Sequence, residues 1–123
     1  MTRYSEREHV DCLPALTTRL LSFSEEREWH QFHDAKNLVM LLASEVGELT
    51  SEYRWVASEH ADDYVRDSTK RARVEEEIGD IGIALLLLCA RTSIDLERAI
   101  EKKMEINARN YPVIEARGKP ERP

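Results

Sequence analysis

Two five-residue segments of this chain, 45–49 and 77–81, repeat one pattern: an acid, a β-branched residue, a glycine, a second acid and an aliphatic residue. Both lie in long apolar stretches without proline, which predicts that both are helical. Residues three positions apart are neighbours on a helix surface, about one turn apart. Each helix therefore carries two carboxylates on one stripe, and the four acids are Glu45, Glu48, Glu77 and Asp80.

A single pair of this kind is typical of a solvated helix face, but two pairs in apolar sequence favour another interpretation. Apolar runs at 38–43 and 83–88 predict that both helices are buried nearly all round, and their acids with them. If the helices are antiparallel neighbours, four carboxylates meet, and unpaired buried charges are costly. Oxygen ligands of this kind suit Mg²⁺ or Mn²⁺ better than Zn²⁺. The repeated pattern therefore predicts a metal site.

The rest of the chain predicts an all-α protein with four helices in one domain. Pro14 suits the first turn of helix one, where its missing N–H costs nothing. Asp34 and Asp95 are good N-caps for helices two and four. The predicted helices span about 13–27, 35–56, 68–91 and 96–110. The predicted divisions are a polar N-terminal lead-in at 1–12, the domain at 13–111 and a flexible C-terminal tail at 112–123.

The acidic composition limits the partners of the chain. With a formal net charge of −6 and an isoelectric point near 5.3, it is not expected to bind nucleic acid polymers or anionic membranes. A small anionic substrate can bind only if a cation bridges it to the acids. No signal peptide opens the sequence, and no apolar run reaches the ~20 residues of a membrane span. A cytoplasmic protein is therefore expected.

Other motifs accompany the two acid pairs. They are Glu-Arg-Glu-Trp-x-Gln-Phe-His at 26–33, Asn37-Leu38, Trp55, and Lys-Met-Glu-Ile-Asn at 103–107 followed by Tyr111 and Pro112. Joined to the acid pairs, these motifs resemble the all-α nucleotide pyrophosphohydrolases of the MazG-like superfamily, and more narrowly the dCTP pyrophosphatase branch. The resemblance covers roughly residues 16–112.

The resemblance implies a fold, a reaction and a site. The implied fold is a four-helix MazG-like bundle that assembles as a dimer or as a homotetramer built from two dimers. The implied reaction cleaves a nucleoside triphosphate between the α and β phosphates and gives a monophosphate and pyrophosphate. The implied substrate is dCTP or a related deoxynucleotide, and the reaction requires Mg²⁺. The implied catalytic metal ligands are Glu45, Glu48, Glu77 and Asp80. The residues implied in nucleotide binding are Trp29 and Trp55 near the base, with His33, Lys103, Asn107 and Tyr111 lining the pocket.

Two aspects of that site are left open by the sequence. Relatives can carry a tyrosine one turn after the metal-binding aspartate, whereas this chain has Ala84, so the base or sugar preference is open. The carboxylate that accepts a proton in the reaction is Glu48, Glu52 or Glu76, and the sequence does not distinguish among them.

Three cations, Lys70, Arg71 and Arg73, lie in the first turns of helix three, where the helix dipole disfavours positive charge. They either pair with Glu75 and Glu76 or contact phosphate. The aromatic and basic residues assigned to the nucleotide also have ordinary structural interpretations, as core or surface side chains.

Two other classes of protein also use inward or surface carboxylates on helices. A di-iron carboxylate bundle needs two Glu-x-x-His motifs on core helices, and the sequence contains only Glu6-x-x-His9, in the polar lead-in. A non-enzymatic acidic helical interaction module would carry its acids as a surface feature, and its stability would not respond to Mg²⁺. His9, His30 and His60 are assigned to the surface.

Overall fold

The computed structural model describes residues 12–120, and the regular structure in that range is entirely helical. The longer helices are α1 (Cys12–Glu26), α2 (Ala35–Tyr53), α3 (Ser68–Thr92) and α4 (Leu96–Asn110), and a one-turn helix, α5, follows at Val113–Ala116. Short 3-10 turns lie at His30–Phe32, Ser58–His60 and Tyr64–Arg66. The predicted all-α class with four main helices is confirmed. Residues 1–11, which include Glu6 and His9, and residues 121–123 of the predicted tail lie outside the described residues.

Short acidic side chains set the points where three helices begin. Asp34, Asp67 and Asp95 each accept a hydrogen bond from the backbone N–H three residues further on, at 2.8, 2.9 and 2.9 Å. Each bond satisfies a donor of the first turn that has no partner within the helix. The starts predicted for α2 and α4 are therefore confirmed.

The end of α1 is fixed by a Schellman cap. The N–H of Trp29 donates to the carbonyl of Ser24 at 2.9 Å, and the N–H of Glu28 donates to the carbonyl of Glu25 at 3.0 Å. Glu28 adopts a left-handed conformation with φ of 56°, which is uncommon for a residue other than glycine. The cap holds the Trp29 ring edge-on to the ring of Phe23, with centroids 5.8 Å apart.

The chain divides into two compact units, one ending at Thr92 and one beginning at Ser93. In the first unit, α2 and α1 both pack on α3, so α3 is the central helix. The most buried apolar side chains in the described residues are Leu38, Val74, Ala84, Leu86 and Leu87. The second unit contains α4 and α5, and α5 occupies part of the tail that was predicted to be flexible.

The prediction that α2 and α3 are buried nearly all round is wrong for the single chain. Met40 and Val39 on α2 are 63% and 49% exposed, and Ile78 and Ile83 on α3 are 55% and 41% exposed. In the first unit, α1 and α2 both pack on α3, and these apolar side chains nevertheless stay about half exposed. None of the helices in residues 12–120 is long and apolar enough to cross a membrane.

Candidate metal centre

The two repeated motifs lie side by side on α2 and α3. Carboxylate oxygens of Glu45, Glu48 and Glu77 all lie within 4.8 Å of one another. The two helices are antiparallel, because Glu52 near the end of α2 pairs with Arg73 near the start of α3. The structure thus brings three of the four predicted metal ligands together. Asp80, one turn after Glu77, lies outside this close group and is exposed.

Glu45, Glu48 and Glu77 together are called the carboxylate group below, and their charges act strongly on one another. The pKa of Glu77 is raised from 4.5 to about 7. The largest cause is a hydrogen bond with Glu48, followed by burial and by the charges of Glu48, Glu45 and Asp80. Burial, followed by the charges of Glu48 and Asp80, raises the pKa of Glu45. Asp80 therefore belongs to the same electrostatic group although it is not in the close cluster. At neutral pH the cation-free group retains a proton for part of the time.

Two oxygens of the group are buried without a donor. Glu45 Oε2 and Glu77 Oε2 are inaccessible to solvent, and no hydrogen-bond donor in the described residues reaches either of them. Buried polar atoms of this kind are rare in folded proteins and call for a partner. A hard divalent cation takes oxygen ligands and supplies the missing positive charge. The donor set of the carboxylate group therefore fits Mg²⁺ or Mn²⁺.

An ion pair lies one helical turn from this group, in the direction of the α2–α3 connection. Arg73 Nε donates to Glu52 Oε1 at 3.1 Å, and Tyr64 Oη donates to Glu52 Oε2 at 2.8 Å. The hydrogen bond from Tyr64 and then that from Arg73 lower the pKa of Glu52. A carboxylate with both oxygens engaged and a lowered pKa is a poor proton acceptor, which disfavours Glu52 among the three predicted bases.

The cations at the start of α3 have different partners. Arg71 Nε donates to Glu75 at 2.9 Å, as one of the two interpretations of the sequence predicted. Arg73 instead crosses to Glu52, 21 residues earlier in the chain. The sequence indicated charged partners within α3 itself and gave no signal for this pair between helices.

The predicted nucleotide-binding residues are dispersed over the chain. Trp29 and Trp55 are 45% and 85% exposed, whereas His33 is partly buried. Lys103 is exposed and Asn107 partly buried on α4, and Tyr111 is partly buried directly after it, so all three belong to the second unit. Ala84, which stands where relatives can carry tyrosine, is completely buried. Their role in nucleotide binding stays a prediction.

The sequence did not predict a cavity of about 300 Å³ in the first unit. Its polar lining residues are Ser24, His30, His33 and Arg91. Arg91 Nη1 lies 3.1 Å from His30 Nε2, across 61 residues of sequence. His30, which the sequence places at the surface, is exposed and also borders this cavity.

Comparisons with known proteins identify the relatives of the chain. A model of the MazG-like family matches residues 39–121. The chain is 42% identical to the dCTP pyrophosphatase 1 of Bos taurus over 96 residues, and 40% identical to that of Homo sapiens over 95 residues. These matches cover 78% and 77% of this chain but 57% and 56% of the relatives, so the chain spans a little over half the length of the curated proteins it matches.

A solved structure supports the same relationship. The crystal structure of a pyrophosphatase from Archaeoglobus fulgidus superposes with a TM-score of 0.78 at 34% sequence identity. The superposition covers 86% of this chain and 97% of that chain. The sequence motifs, the all-helical fold and these matches agree, and the resemblance to the dCTP pyrophosphatase branch is confirmed by the curated relatives. The chain belongs to the MazG-like family.

Proposed function

We propose that the chain is a Mg²⁺-dependent nucleoside triphosphate pyrophosphohydrolase with dCTP or a related deoxynucleotide as its substrate. The reaction cleaves between the α and β phosphates and gives a nucleoside monophosphate and pyrophosphate. The observation that carries the proposal is the group of three carboxylates on two helices, with two buried oxygens that no donor satisfies. The relatives named dCTP pyrophosphatase 1 support the choice of substrate.

Glu45, Glu48 and Glu77 would hold the cation, with Asp80 as a fourth ligand from the next turn of α3. When bound, Mg²⁺ offsets negative charge on the triphosphate and draws electron density from the phosphorus; Mn²⁺ is a chemically similar substitute. Without a cation, a triphosphate and this acidic group would repel each other. The same four residues are therefore required both for substrate binding and for the reaction.

Proton transfer is assigned to the carboxylate group itself. Within the close cluster of Glu45, Glu48 and Glu77, Glu48 is the exposed residue, so its side chain is accessible to an attacking water. Glu52 is engaged by Arg73 and Tyr64, and Glu76 lies outside the close cluster. We assign Glu48 as the base that accepts the proton from that water.

Nucleotide binding would use side chains outside the carboxylate group. The exposed rings of Trp29 and Trp55 can stack on a base, and stacking of this kind is worth about 1–3 kcal/mol in single-strand binding proteins. Lys103 would offset phosphate charge, and His33, Asn107 and Tyr111 would complete the pocket. The net charge of −6 favours a small triphosphate over a nucleic acid polymer as the partner.

The test of this function is product analysis on a panel of dNTPs and NTPs, with Mg²⁺ and with a chelator. The expected products are monophosphate and pyrophosphate, formed only with the metal and fastest from dCTP. The same products with another preferred nucleotide would support the proposed reaction and contradict dCTP as the preferred substrate. Diphosphate and orthophosphate as products would contradict the cleavage site, and no turnover of any nucleotide would favour the non-enzymatic interaction module.

The exposed apolar faces of α2 and α3 support self-association. Side chains such as Met40 and Ile78 are more than half exposed in the single chain, and contiguous exposed apolar surface is typical of interfaces. We expect a homo-oligomer, either a dimer or a tetramer of two dimers. Multi-angle light scattering at micromolar concentration should give a multiple of the 14.3 kDa chain mass. A monomer at that concentration would contradict this prediction.

A further inference from the structure

One cation lies within reach of the carboxylate group along its own helix. Of all the lysines and arginines in the sequence, only Arg73 stands three or four positions from an acid of the two repeated motifs, and that acid is Glu77. Side chains at this spacing are neighbours on a helix surface, with Cβ atoms ~5–6 Å apart. The same helix already contains an arginine and a glutamate paired at this spacing, because Arg71 Nε lies 2.9 Å from Glu75 Oε1. An ion pair between Arg73 and Glu77 is therefore within reach.

A pair between Arg73 and Glu77 would compete with a metal ion. A guanidinium donates strong hydrogen bonds to carboxylate oxygens and carries the positive charge that the carboxylate group lacks. Glu77 Oε2 is buried, and no donor in residues 12–120 reaches it, so an arginine at Glu77 would supply a missing partner. A divalent cation would then have to displace the guanidinium before it bound to Glu77.

In the structure Arg73 pairs with Glu52, on the neighbouring helix α2. Arg73 Nε lies 3.1 and 3.3 Å from the two carboxylate oxygens of Glu52. Tyr64 Oη donates to the same carboxylate at 2.8 Å and holds it from a third segment of the chain. The side chain of Glu52 is only 19% exposed, whereas that of Glu75 is 63% exposed. Solvent therefore screens the pair of Arg73 with Glu52 less than it screens the pair on the surface of α3.

We infer that Glu52 is a positioning residue of the metal centre, which holds Arg73 away from Glu77 and so keeps the carboxylate group open to the cation. The inference rests on the proposed function, because it requires a metal ion at this group. The positions fit this role, since Glu52 follows Glu48 by four residues and Arg73 precedes Glu77 by four. The ion pair thus lies about one helical turn from the carboxylates on both helices.

The role of Glu52 differs in a measurable way from that of a simple tie between two helices. If the ion pair acted on the metal centre only as a tie, the loss of either partner would weaken metal binding, and the loss of both would weaken it at least as much. If Glu52 holds Arg73 away from Glu77, the loss of Glu52 weakens metal binding only while Arg73 is present. The variant that lacks both side chains therefore distinguishes the two roles.

The experiment uses the full chain with Glu52→Ala, with Arg73→Met and with both substitutions together. Glu75→Ala is the matched control. It changes the net charge by the same amount and releases Arg71 on the same helix, but Arg71 has no acid of the repeated motifs three or four positions away. The measurements, made without nucleotide at pH 8, are Mg²⁺ affinity by isothermal titration calorimetry and Mn²⁺ affinity from the electron paramagnetic resonance signal of the free ion. Circular dichroism checks the fold, and a crystal structure of the metal-free Glu52→Ala chain locates the guanidinium.

Glu52→Ala is expected to weaken the binding of Mg²⁺ and Mn²⁺ by about 10-fold, as is typical of substituting a residue that supports a metal ligand. Its crystal structure should show Arg73 hydrogen-bonded to Glu77. Addition of Arg73→Met should restore the affinity of the unsubstituted chain. Arg73→Met alone should bind the metal at least as tightly as the unsubstituted chain, because it lacks the competing charge, and Glu75→Ala should match the unsubstituted chain.

The possible failures are distinguishable. An unchanged metal affinity in a folded Glu52→Ala chain would overturn the inference and leave the proposed function in place. A double variant that binds metal as weakly as Glu52→Ala would also overturn it, and so would a guanidinium that stays away from Glu77 in the crystal. If Glu52→Ala does not fold, Glu52→Gln replaces it with the same expected results, because it keeps the size of the side chain and removes the charge. An unsubstituted chain that binds neither Mg²⁺ nor Mn²⁺ would overturn the proposed metal centre, and the inference with it.

Discussion

Replacing Glu48 by glutamine is expected to lower kcat/KM for dCTP by more than about 100-fold and to leave the helical fold intact. Substitution of a residue that only supports a metal ligand typically lowers metal affinity or activity 10- to 100-fold. The loss of a ligand oxygen should lower activity at least as much. Glu48 is also the residue to which we assign the proton. The substitution preserves the shape of the side chain and removes one negative charge from a group of mutually repelling carboxylates.

Steady-state kinetics and circular dichroism would check this prediction. The metal-free variant should unfold at the same temperature as the unsubstituted chain or at a higher one, because the repulsion is smaller. Glu59→Gln is the matched control, since Glu59 is 78% exposed and pairs with His60 at the surface. A Glu48→Gln chain that retains full turnover would rule out this carboxylate group as the metal centre.

The second large effect concerns Mg²⁺ and the stability of the fold. At pH 8, saturating Mg²⁺ should raise the melting temperature by roughly 10 °C, because a ligand at one hundred times its Kd stabilises the folded state by about 2.7 kcal/mol. The same Mg²⁺ at pH 5 should have a much smaller effect. At that pH Glu77, whose pKa is raised to about 7, holds a proton that the cation must displace.

The metal-free chain should show the complementary pH dependence. The pKa of Glu77 is about 7 in the folded state against an ordinary value of 4.5, so the folded state binds the proton more tightly than the unfolded state. The contribution of this group to stability is therefore fully present below pH 4.5 and is lost as the pH rises through 7. Thermal unfolding from pH 5 to pH 8 would measure the loss, and Glu77→Gln should flatten the dependence of stability on pH.

The control for the Mg²⁺ experiment is KCl at equal ionic strength. A melting temperature that does not respond to Mg²⁺ at pH 8 would contradict a cation at this site.

Local signals in the sequence predicted much of the fold. The N-caps at Asp34 and Asp95 predicted the starts of two helices, because each side chain satisfies a donor only a few residues away. The i,i+3 spacing of Glu45 and Glu48 predicted that they share a face, because the helical period fixes that relation. The structure brings both of them to Glu77. Interactions within one helical turn were therefore accessible from the residue pattern alone.

Interactions between helices were not accessible in the same way. Arg73 pairs with Glu52 and Arg91 with His30, across 21 and 61 residues. Helical periodicity predicts the face on which a residue lies, but not the level at which two helices meet, and one turn of axial shift would change both pairs. The cavity was missed for this reason, since the motifs contain His30, His33 and Leu38 but not the lining residues that α1 and α3 supply.

The apolar sequences of α2 and α3 predict more burial than the single chain gives. An apolar sequence predicts that a helix will be covered, but it does not predict whether the cover comes from the same chain or from another copy. Val39 and Ile83 have apolar neighbours in sequence on either side and are nevertheless 49% and 41% exposed in the single chain. The two helices are too apolar for one four-helix layer to cover fully, so the pattern also predicts self-association, and burial of these faces between copies stays a prediction.

The bonds from Arg73 and Tyr64 to Glu52 have a consequence for protein engineering. They join the end of α2 to the start of α3 directly, so the axial alignment of the two helices does not depend on the length of the segment 57–63 between them. That segment is mostly exposed, and lengthening a flexible loop adds only slowly to its closure entropy. An affinity tag or an epitope inserted there should leave the spacing of the carboxylates unchanged, which makes 57–63 the natural position for attaching a label to this chain.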